Sequence, residues 1–409
     1  MASGARAVAR CDAIGAAPYS DTEYGLFRPY LGPAHRATIA KIDEWMQAAG
    51  MRTWIDPAAN LVGRYEGVAP DARALLIGSH IDSVNDAGRY DGPLGVMLGI
   101  EVVAALAERQ RRLPFAIEVI AFGDEEGSRF PASMMCSRAV AGTLDISATM
   151  ISDGDGISLE QSLAAFGLER ARMTDAARSP ESIIGYVEAH IEQGPVLESE
   201  GLAVGVVRGI AAQKRFAVTV TGQAGHAGTS AMHLRRDALA AAAEAILAVE
   251  RVAQEGPADL VATVGRLAVS PGATNVVPGK VDFTIDVRAG RDEMRDAAAG
   301  QIIAAISAVA DKRGVSLNIE ESQRLAASPC DPVLMDRLAE AISSVGQPVR
   351  KLVSGAGHDA MVMASLAPTA MLFLRCTGGI SHNPGESVDP ADVELALAAM
   401  SAFVEGLAA

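Results

Sequence analysis

Aromatic side chains are scarce in this chain: 4% of its 409 residues are Phe, Trp or Tyr. A core with so few large rings has to be aliphatic and closely layered. Cysteine is rarer still. Cys11, Cys136, Cys330 and Cys376 are scattered without a Cys-x-x-Cys spacing, which speaks against a disulfide framework or a structural zinc site and fits a reducing compartment. Basic residues are outnumbered, 35 against 50 acidic, for a formal charge of −15. Nucleic acid is therefore not an expected partner, since binding phosphate backbones needs concentrated Lys and Arg. A small substrate is not excluded, because a local cleft can carry the opposite sign. No apolar run approaches the roughly 20 residues that span a bilayer. Met1-Ala-Ser-Gly-Ala-Arg contains no apolar stretch of the signal-peptide kind. The expected location is cytoplasmic, with no membrane contact.

What is present is an ordinary globular composition, 49% hydrophobic and 21% charged. The length is too great for one compact core, so two domains are expected. Ile39, Ile42, Trp45 and Met46 recur at helical spacing within about 35–50. From 75 to 122 the pattern is strand, loop, helix (93–112) and strand, a βαβ signature that implies a mostly parallel sheet. Apolar stretches follow at 186–191 and 203–210. From Lys214 the character changes to strands of period two (216–221, 260–269, 281–288, 315–320) separated by amphipathic helices (235–252 and 291–312). That pattern predicts an α+β unit with an antiparallel sheet and two helices. Alternation of β and α then resumes, with helices at 331–345, 358–365 and 388–406 and strands at 350–353 and 369–374. The fold class is α/β, a mostly parallel-sheet domain (1–212 and 325–409) carrying an inserted α+β domain (213–324).

The informative residues stand where predicted strands end. Leu75-Leu76-Ile77 runs into Gly78-Ser79-His80-Ile81-Asp82, with Asp91-Gly92 beyond it, and Ile117 to Phe122 runs into Asp124-Glu125-Glu126-Gly127. In an open α/β sheet the carboxyl ends of the strands form the ligand crevice. Charges collected there need compensation, and divalent cations supply it. His190, in Glu188-Ala-His-Ile-Glu-Gln-Gly194, and His382, in Gly378-Gly-Ile-Ser-His-Asn-Pro-Gly385, also sit beside strand ends. Two ions bridged by a carboxylate need a mixed His and Asp/Glu set with room for a water. Asp91 lies where a loop becomes a helix and can reach both. Of the adjacent pair Glu125-Glu126, one can bind metal while the other faces the water as general base. Each feature alone has a plainer reading: Ser-His-x-Asp as a loop hydrogen-bond cluster, Asp-Glu-Glu-Gly as a solvated turn. Their recurrence at successive strand ends favours the metal.

Four stretches carry a resemblance. They are Gly-Ser-His-Ile-Asp-Ser-Val with Gly-Arg-Tyr-Asp-Gly-Pro-Leu-Gly-Val, Phe-Gly-Asp-Glu-Glu-Gly-Ser-Arg-Phe, His-Ile-Glu-Gln-Gly-Pro-Val-Leu-Glu, and Gly-His-Ala-Gly-Thr-Ser-Ala-Met-His-Leu-Arg-Arg-Asp-Ala. The chain resembles, from about Cys11 to the C-terminal helix, the amidohydrolase family of N-carbamoyl-L-amino acid hydrolases, allantoate amidohydrolases and β-ureidopropionases. That family lies within the larger group of two-metal aminoacylases and carboxypeptidases. The resemblance implies a metallohydrolase domain, a lid or dimerisation insert, and two divalent ions per subunit (Zn, or Mn, Co or Ni). His80 and His190 would hold one ion, Glu126 and His382 the other, and Asp91 would bridge them. Glu125 would be the catalytic base and Asp82 would support His80 from behind. His226 would reach across a homodimer to steady the oxyanion. Gln213, Asn275 and Arg288 would bind the substrate carboxylate, with Asn275 or Arg288 also candidates for acting across subunits, and Gly357 and His358 would form a further substrate loop.

Without the resemblance, Arg288 reads as an intradomain salt bridge and Asn275 as a turn residue. His35 and His233 read as surface or capping residues. Cys136 stands where the family commonly has Gly and reads as a small packed residue. Ser230-Ala231 replaces the usual Thr-Pro after the His226 turn and loosens it. The expected reaction is hydrolysis of a ureido C–N bond of a small carboxylate, with ammonia and carbon dioxide released. Asn85-Asp86-Ala-Gly-Arg-Tyr-Asp91 and Gly25-Leu-Phe-Arg-Pro-Tyr-Leu are more similar to the allantoate branch. The amino acid carbamoylases and β-ureidopropionases are the alternative. Aminoacylases and dipeptidases are more remote, as is a non-catalytic relative, which would normally have lost ligands that are all in place here.

Overall fold

A computed structural model describes residues 2–23 and 25–408. The chain forms two compact units. One runs up to Arg208 and resumes over Pro329–Leu352 and from Ala356 onward; the other is Gly209–Ser328 with Val353–Gly355.

The first unit is built on a sheet whose strands lie in the order Arg52–Ile55, Leu61–Tyr65, Ala116–Phe122, Ala74–His80, Ile183–Ile191, Thr369–Leu374, Val204–Ile210 and Ser328–Pro329, with Lys351–Ser354 also pairing with Val204–Ile210. The four central strands, Ala116–Phe122 to Thr369–Leu374, are mutually parallel. Ala74–His80 and Ala116–Phe122 are buried along their whole length, as parallel strands covered on both faces must be. The flanks are antiparallel, so the expected mostly parallel sheet has a parallel centre with antiparallel edges. The short link between Arg52–Ile55 and Leu61–Tyr65 is long enough for a hairpin and too short for a parallel crossover. The helix Pro93–Glu108 begins with proline in its first turn, behind Gly92 at φ 84°. A Cβ on Gly92 would lie 2.5 Å from the His80 ring, so only glycine lets this helix start so close to the strand end.

In the second unit Leu267–Ser270, Lys280–Ala289, Ala212–Thr221 and Ser316–Leu325 form an antiparallel sheet, and Val261–Thr263 also pairs with Lys280–Ala289. Strict alternation buries Val281, Phe283, Ile285 and Val287 against the helices Ala238–Gln254 and Asp292–Arg313. The single strand expected over 260–269 is two short strands, because its halves pair with different ends of Lys280–Ala289. Among the described residues no helix is long and apolar enough to cross a membrane.

One expectation is corrected. His35 is fully buried: it lies on the Pro33–Ala48 helix four residues before Ile39, on the face that packs inward. Its Nδ1 accepts from the Leu31 amide at 3.3 Å, its ring meets Tyr30 edge-on at 5.6 Å, and burial pushes its pKa down to about 3. His233 lies in the short turn Met232–Leu234 and is exposed.

Candidate metal centre

The parallel strands deliver the expected ligands side by side. His80 is the last residue of its strand, and His190 the penultimate residue of the strand paired beside it. Their Nε2 atoms lie 3.4 Å apart. Asp91 sits between them and two loops: its Oδ1 is 3.2 Å from His190 Nε2 and 3.7 Å from His80 Nε2, and its Oδ2 is 3.2 Å from His382 Nε2. Glu126 Oε1 lies 3.5 Å from the same nitrogen of His382. Four groups of three have their ligand atoms within 4.8 Å of one another: His80–Asp91–His190 and Asp91–Glu126–His382, which share Asp91, and beside them His80–Glu125–Glu126 and Glu188–His190–His358.

Asp82 ties this arrangement together. It is fully buried, and its Oδ1 stands 3.4 Å from His80 Nδ1 while accepting the Glu125 amide at 3.0 Å. Its Oδ2 accepts the Glu126 amide at 3.1 Å. Asp82 thus orients the strand-end histidine, whose Nδ1 also meets the Asp82 backbone carbonyl at 3.1 Å, and its carboxylate holds the loop bearing both glutamates. His190 is fixed separately, through Nδ1 to the carbonyl of Ile191 at 2.9 Å. With Nδ1 engaged in both rings, Nε2 is the nitrogen turned towards Asp91.

The electrostatics are those of a site made for cations. Burial opposes charge on His80 and Asp91 alike. The carboxylates of Asp82 and Asp91 nonetheless hold His80 well above the usual histidine range, and three histidines hold Asp91 well below the usual carboxylate range. Contact with Asp91 raises His382 to about 9, whereas burial raises Glu126 to about 7 and Glu125 well above its ordinary value. Among the described residues no donor hydrogen-bonds the buried Oδ1 of Asp91. Two imidazole nitrogens facing that oxygen, with a carboxylate and a third imidazole on its other side, form a donor set that fits divalent metal.

Three supporting residues escaped the sequence reading. Gln193 Nε2 donates to Asp91 Oδ2 at 2.9 Å from a backbone at φ 57°, Ser381 Oγ donates to the same oxygen at 2.7 Å, and Glu386 Oε1 receives the amides of Tyr90 and Asp91 at 2.8 and 3.1 Å. Gln193 was visible only as part of the Glu-Gln-Gly-Pro stretch and Ser381 only as the neighbour of His382; Glu386 gave no signal. His358 is buried, its ring 4.4 Å from that of His190 and edge-on to Phe373 at 5.8 Å. Gly357 is exposed, and a Cβ there would lie 3.9 Å from Glu125 Oε1. Cys136 is buried and its thiol donates to the carbonyl of Ala58, as a packed residue would.

The second unit collects its own set. His226 pairs with Val276 in a two-stranded ribbon, and the amide of Ala227 donates to the carbonyl of Asn275 at 2.9 Å, so His226 and Asn275 are neighbours. His226 Nδ1 accepts from the Gly228 amide at 3.0 Å, so a neutral ring carries its proton on Nε2. Gln213 and Arg288 stand opposite each other on paired strands. Arg288 makes the intradomain ion pair of its plainer reading, with Asp286 at 3.0 Å.

Known proteins resemble this chain over most of its length. The chain is 43% identical over 418 residues to a probable allantoate deiminase of Oryza sativa subsp. japonica, covering 94% of this chain and 85% of that protein. It is 43% identical over 345 residues to an N-carbamoyl-L-amino acid amidohydrolase of Geobacillus stearothermophilus, covering 84% of each. A crystal structure of an amidase of the hydantoinase/carbamoylase family from Burkholderia multivorans superposes with a TM-score of 0.91 at 33% identity, over 99% of this chain and 98% of that one. The sequence profile of peptidase family M20/M25/M40 matches residues 76–406, from the strand that ends in His80 to the C-terminal helix that follows His382. A match of that extent, spanning both units, settles the kinship: the chain belongs to peptidase family M20/M25/M40.

Proposed function

We propose that this protein is a two-metal amidohydrolase that cleaves a ureido C–N bond of a small carboxylate, releasing ammonia and carbon dioxide, and that its substrate is allantoate. The observation that carries the reading is the pair of His/carboxylate groups sharing Asp91, with the Glu125 carboxylate beside them. His80, Asp91 and His190 would hold one divalent ion and Asp91, Glu126 and His382 the other; zinc, manganese, cobalt and nickel all suit such donors. When bound, the ions supply the Lewis-acid charge that makes water acidic and steadies a developing oxyanion.

The chain's own residues do the rest. Glu125 takes a proton from the attacking water and returns it to the leaving nitrogen. Its burial favours the protonated form and so suits a group that must hold that proton between the two steps. Asp82 keeps the Glu125–Glu126 loop and the His80 ring in register. His226, with its proton on Nε2, donates to the oxyanion, Arg288 with Asn275 captures the substrate carboxylate, and Gln213, opposite Arg288 on the paired strand, contacts the substrate beside it. Gly357 leaves room beside Glu125, and His358 acts through the His190 ring it packs against. In a homodimer His226 would serve the site of the second copy, and Asn275 would travel with it on the same ribbon. All four cysteines are free and buried, as a reducing compartment allows, and we place the enzyme in the cytoplasm.

The similarity to a probable allantoate deiminase supports the substrate. The equal identity to an N-carbamoyl-L-amino acid amidohydrolase favours a second reading, hydrolysis of N-carbamoyl-L-amino acids. Ammonia release from allantoate, N-carbamoyl-L-amino acids, N-carbamoyl-β-alanine and an N-acetyl amino acid, with the metal varied, decides between them. Allantoate is expected to turn over fastest. Cleavage of the acetyl compound with no ammonia from any ureido compound would sink the proposal. Glu125→Gln should retain metal and lose turnover; full activity would end the base assignment.

A further inference from the structure

In the second unit, period two along the paired strands turns Gln213 and Arg215, and likewise Asp286 and Arg288, to the sheet face away from the helices. The register sets Gln213 opposite Arg288 and Arg215 opposite Asp286. Donors from three residues therefore converge on one carboxylate. Asp286 Oδ2 accepts from Gln213 Nε2 at 2.7 Å, Arg215 Nε at 2.8 Å and Arg288 Nη2 at 3.1 Å, and Oδ1 accepts from Arg288 Nε at 3.0 Å. Arg215, Asp286 and Arg288 line a cavity of about 660 Å³ that Arg266 also borders, so one acid faces three arginines there.

This wiring sorts the groups by polarity. Only the nitrogen of a glutamine amide can donate to a carboxylate, so the bond to Asp286 fixes which end of Gln213 is which. Its Oε1 is the end that this bond leaves over, on a residue that is 6% exposed. That oxygen repels a carboxylate and accepts an N–H. Arg288 spends Nε and Nη2 on Asp286, and Nη1 donates to the carbonyl of Gly355. Of its five N–H donors two remain, enough for an anionic oxygen.

We propose that Asp286 is a positioning residue that makes Gln213 a hydrogen-bond acceptor for the substrate N–H and leaves the carboxylate to Arg288. The inference rests on the ureido carboxylate reading and deepens it: the site selects carboxylates whose neighbouring atom is N–H over those with oxygen in its place. Gln213 is thereby moved from the carboxylate-binding role that the resemblance implies to recognition of the adjacent nitrogen.

The test uses competitive inhibition constants of N-carbamoylglycine and O-carbamoylglycolate, which differ in that one atom, against whichever ureido substrate the metal-loaded enzyme turns over. The wild type should bind the nitrogen compound roughly tenfold tighter, the worth of one hydrogen bond and of the repulsion avoided. Gln213→Leu, and Asp286→Asn, which lets the Gln213 amide turn over, should bring that ratio close to one without loss of carboxylate binding. A role confined to structure would weaken both compounds equally and keep the ratio. A wild-type ratio near one, or a ratio unchanged in Gln213→Leu, overturns the proposal. Gln213→Leu leaves the Arg215–Asp286–Arg288 pairs whole and decides the matter if Asp286→Asn unfolds. Arg288→Ala tests the underlying reading separately: it should weaken both compounds together, and no change in either would remove the carboxylate clamp while leaving the ratio to judge Gln213. Turnover of no ureido compound at all sinks reading and proposal alike.

Discussion

The two ligand groups that share Asp91 are built in different ways. His80 and His190 project from the ends of adjacent parallel strands, and their side chains are 2% and 1% exposed. His382 stands on a loop at φ 54°, and its side chain is 49% exposed. Glu126 belongs to the turn that Asp82 holds by its amides. One half of the centre is therefore set by sheet register and kept dry; the other is set by loops and meets solvent. Asp91 joins them, and its own backbone is pinned by Glu386. On the proposed two-ion reading, the buried half made by strands should bind its ion more tightly and exchange it more slowly than the solvent-facing half.

The largest expected effect comes from removing what the halves share. Asp91→Ala should cost both ions and lower kcat/KM by roughly a thousandfold or more, because it deletes several kcal/mol of charge stabilisation. Metal content by mass spectrometry, read beside ammonia release, checks it. Retention of both ions would show that the halves do not depend on their common carboxylate. The comparison itself is sharpened by His190→Ala against His382→Ala. The first should leave less than one ion per chain after dialysis against a chelator, the second close to one. The reverse order would break the contrast. Asp82→Asn comes next. It keeps the shape but loses charge behind His80, and a metal affinity lower by about 10 to 100-fold is expected by calorimetry. Because Asp82 also receives the amides of Glu125 and Glu126, kcat should fall with it; unchanged affinity would confine Asp82 to holding the loop.

How much of this was legible beforehand follows the same division. His80, Asp91, Glu125, Glu126, His190 and His382 could be found because strand ends, glycines and acidic loops are local patterns. Asp82 was legible from its spacing to His80. Contacts that depend on how distant strands align were not. Nothing local announces that Gln213 and Arg288 face each other and share Asp286, or that the amide of Gln193 turns onto Asp91. Arg28 makes the point most plainly. It is fully buried, donating to the carbonyls of Ile14, Tyr19 and Ile81, and so braces the residue between His80 and Asp82 from the N-terminal segment. A charged residue reads as exposed until the chain is folded around it. His35 failed in the opposite way: its helical phase was readable, since Ile39, Ile42 and Met46 mark the buried face, but its polarity argued against burial. The strand over 260–269 was read from alternation alone, which cannot show that its halves pair with different ends of Lys280–Ala289.

The smallest expected effect concerns pH. In the protein stripped of metal, burial raises Glu126 and Glu386 to about 7 and Asp359 to about 8, and contact with Asp91 raises His382 to about 9. Each of these folded-state values lies above the ordinary one, so each group binds its proton more firmly folded than unfolded. The stabilisation is fully present below the ordinary value and is lost as pH rises through the folded one. Asp91, held low, acts in the other direction, but only in acid below the ordinary carboxylate range. The melting temperature of the stripped protein should therefore fall on going from pH 6 to pH 9, by about 5 °C given a few kcal/mol of linkage. Added metal displaces the protons from His80, His190 and His382 and supplies the missing positive charge to the acids around them, so the loaded protein should lose most of that slope. A stripped protein that grows more stable as pH rises would mean that the acids of this centre are already paired without a cation, and the contrast between a dry half and a wet half would then have no electrostatic basis.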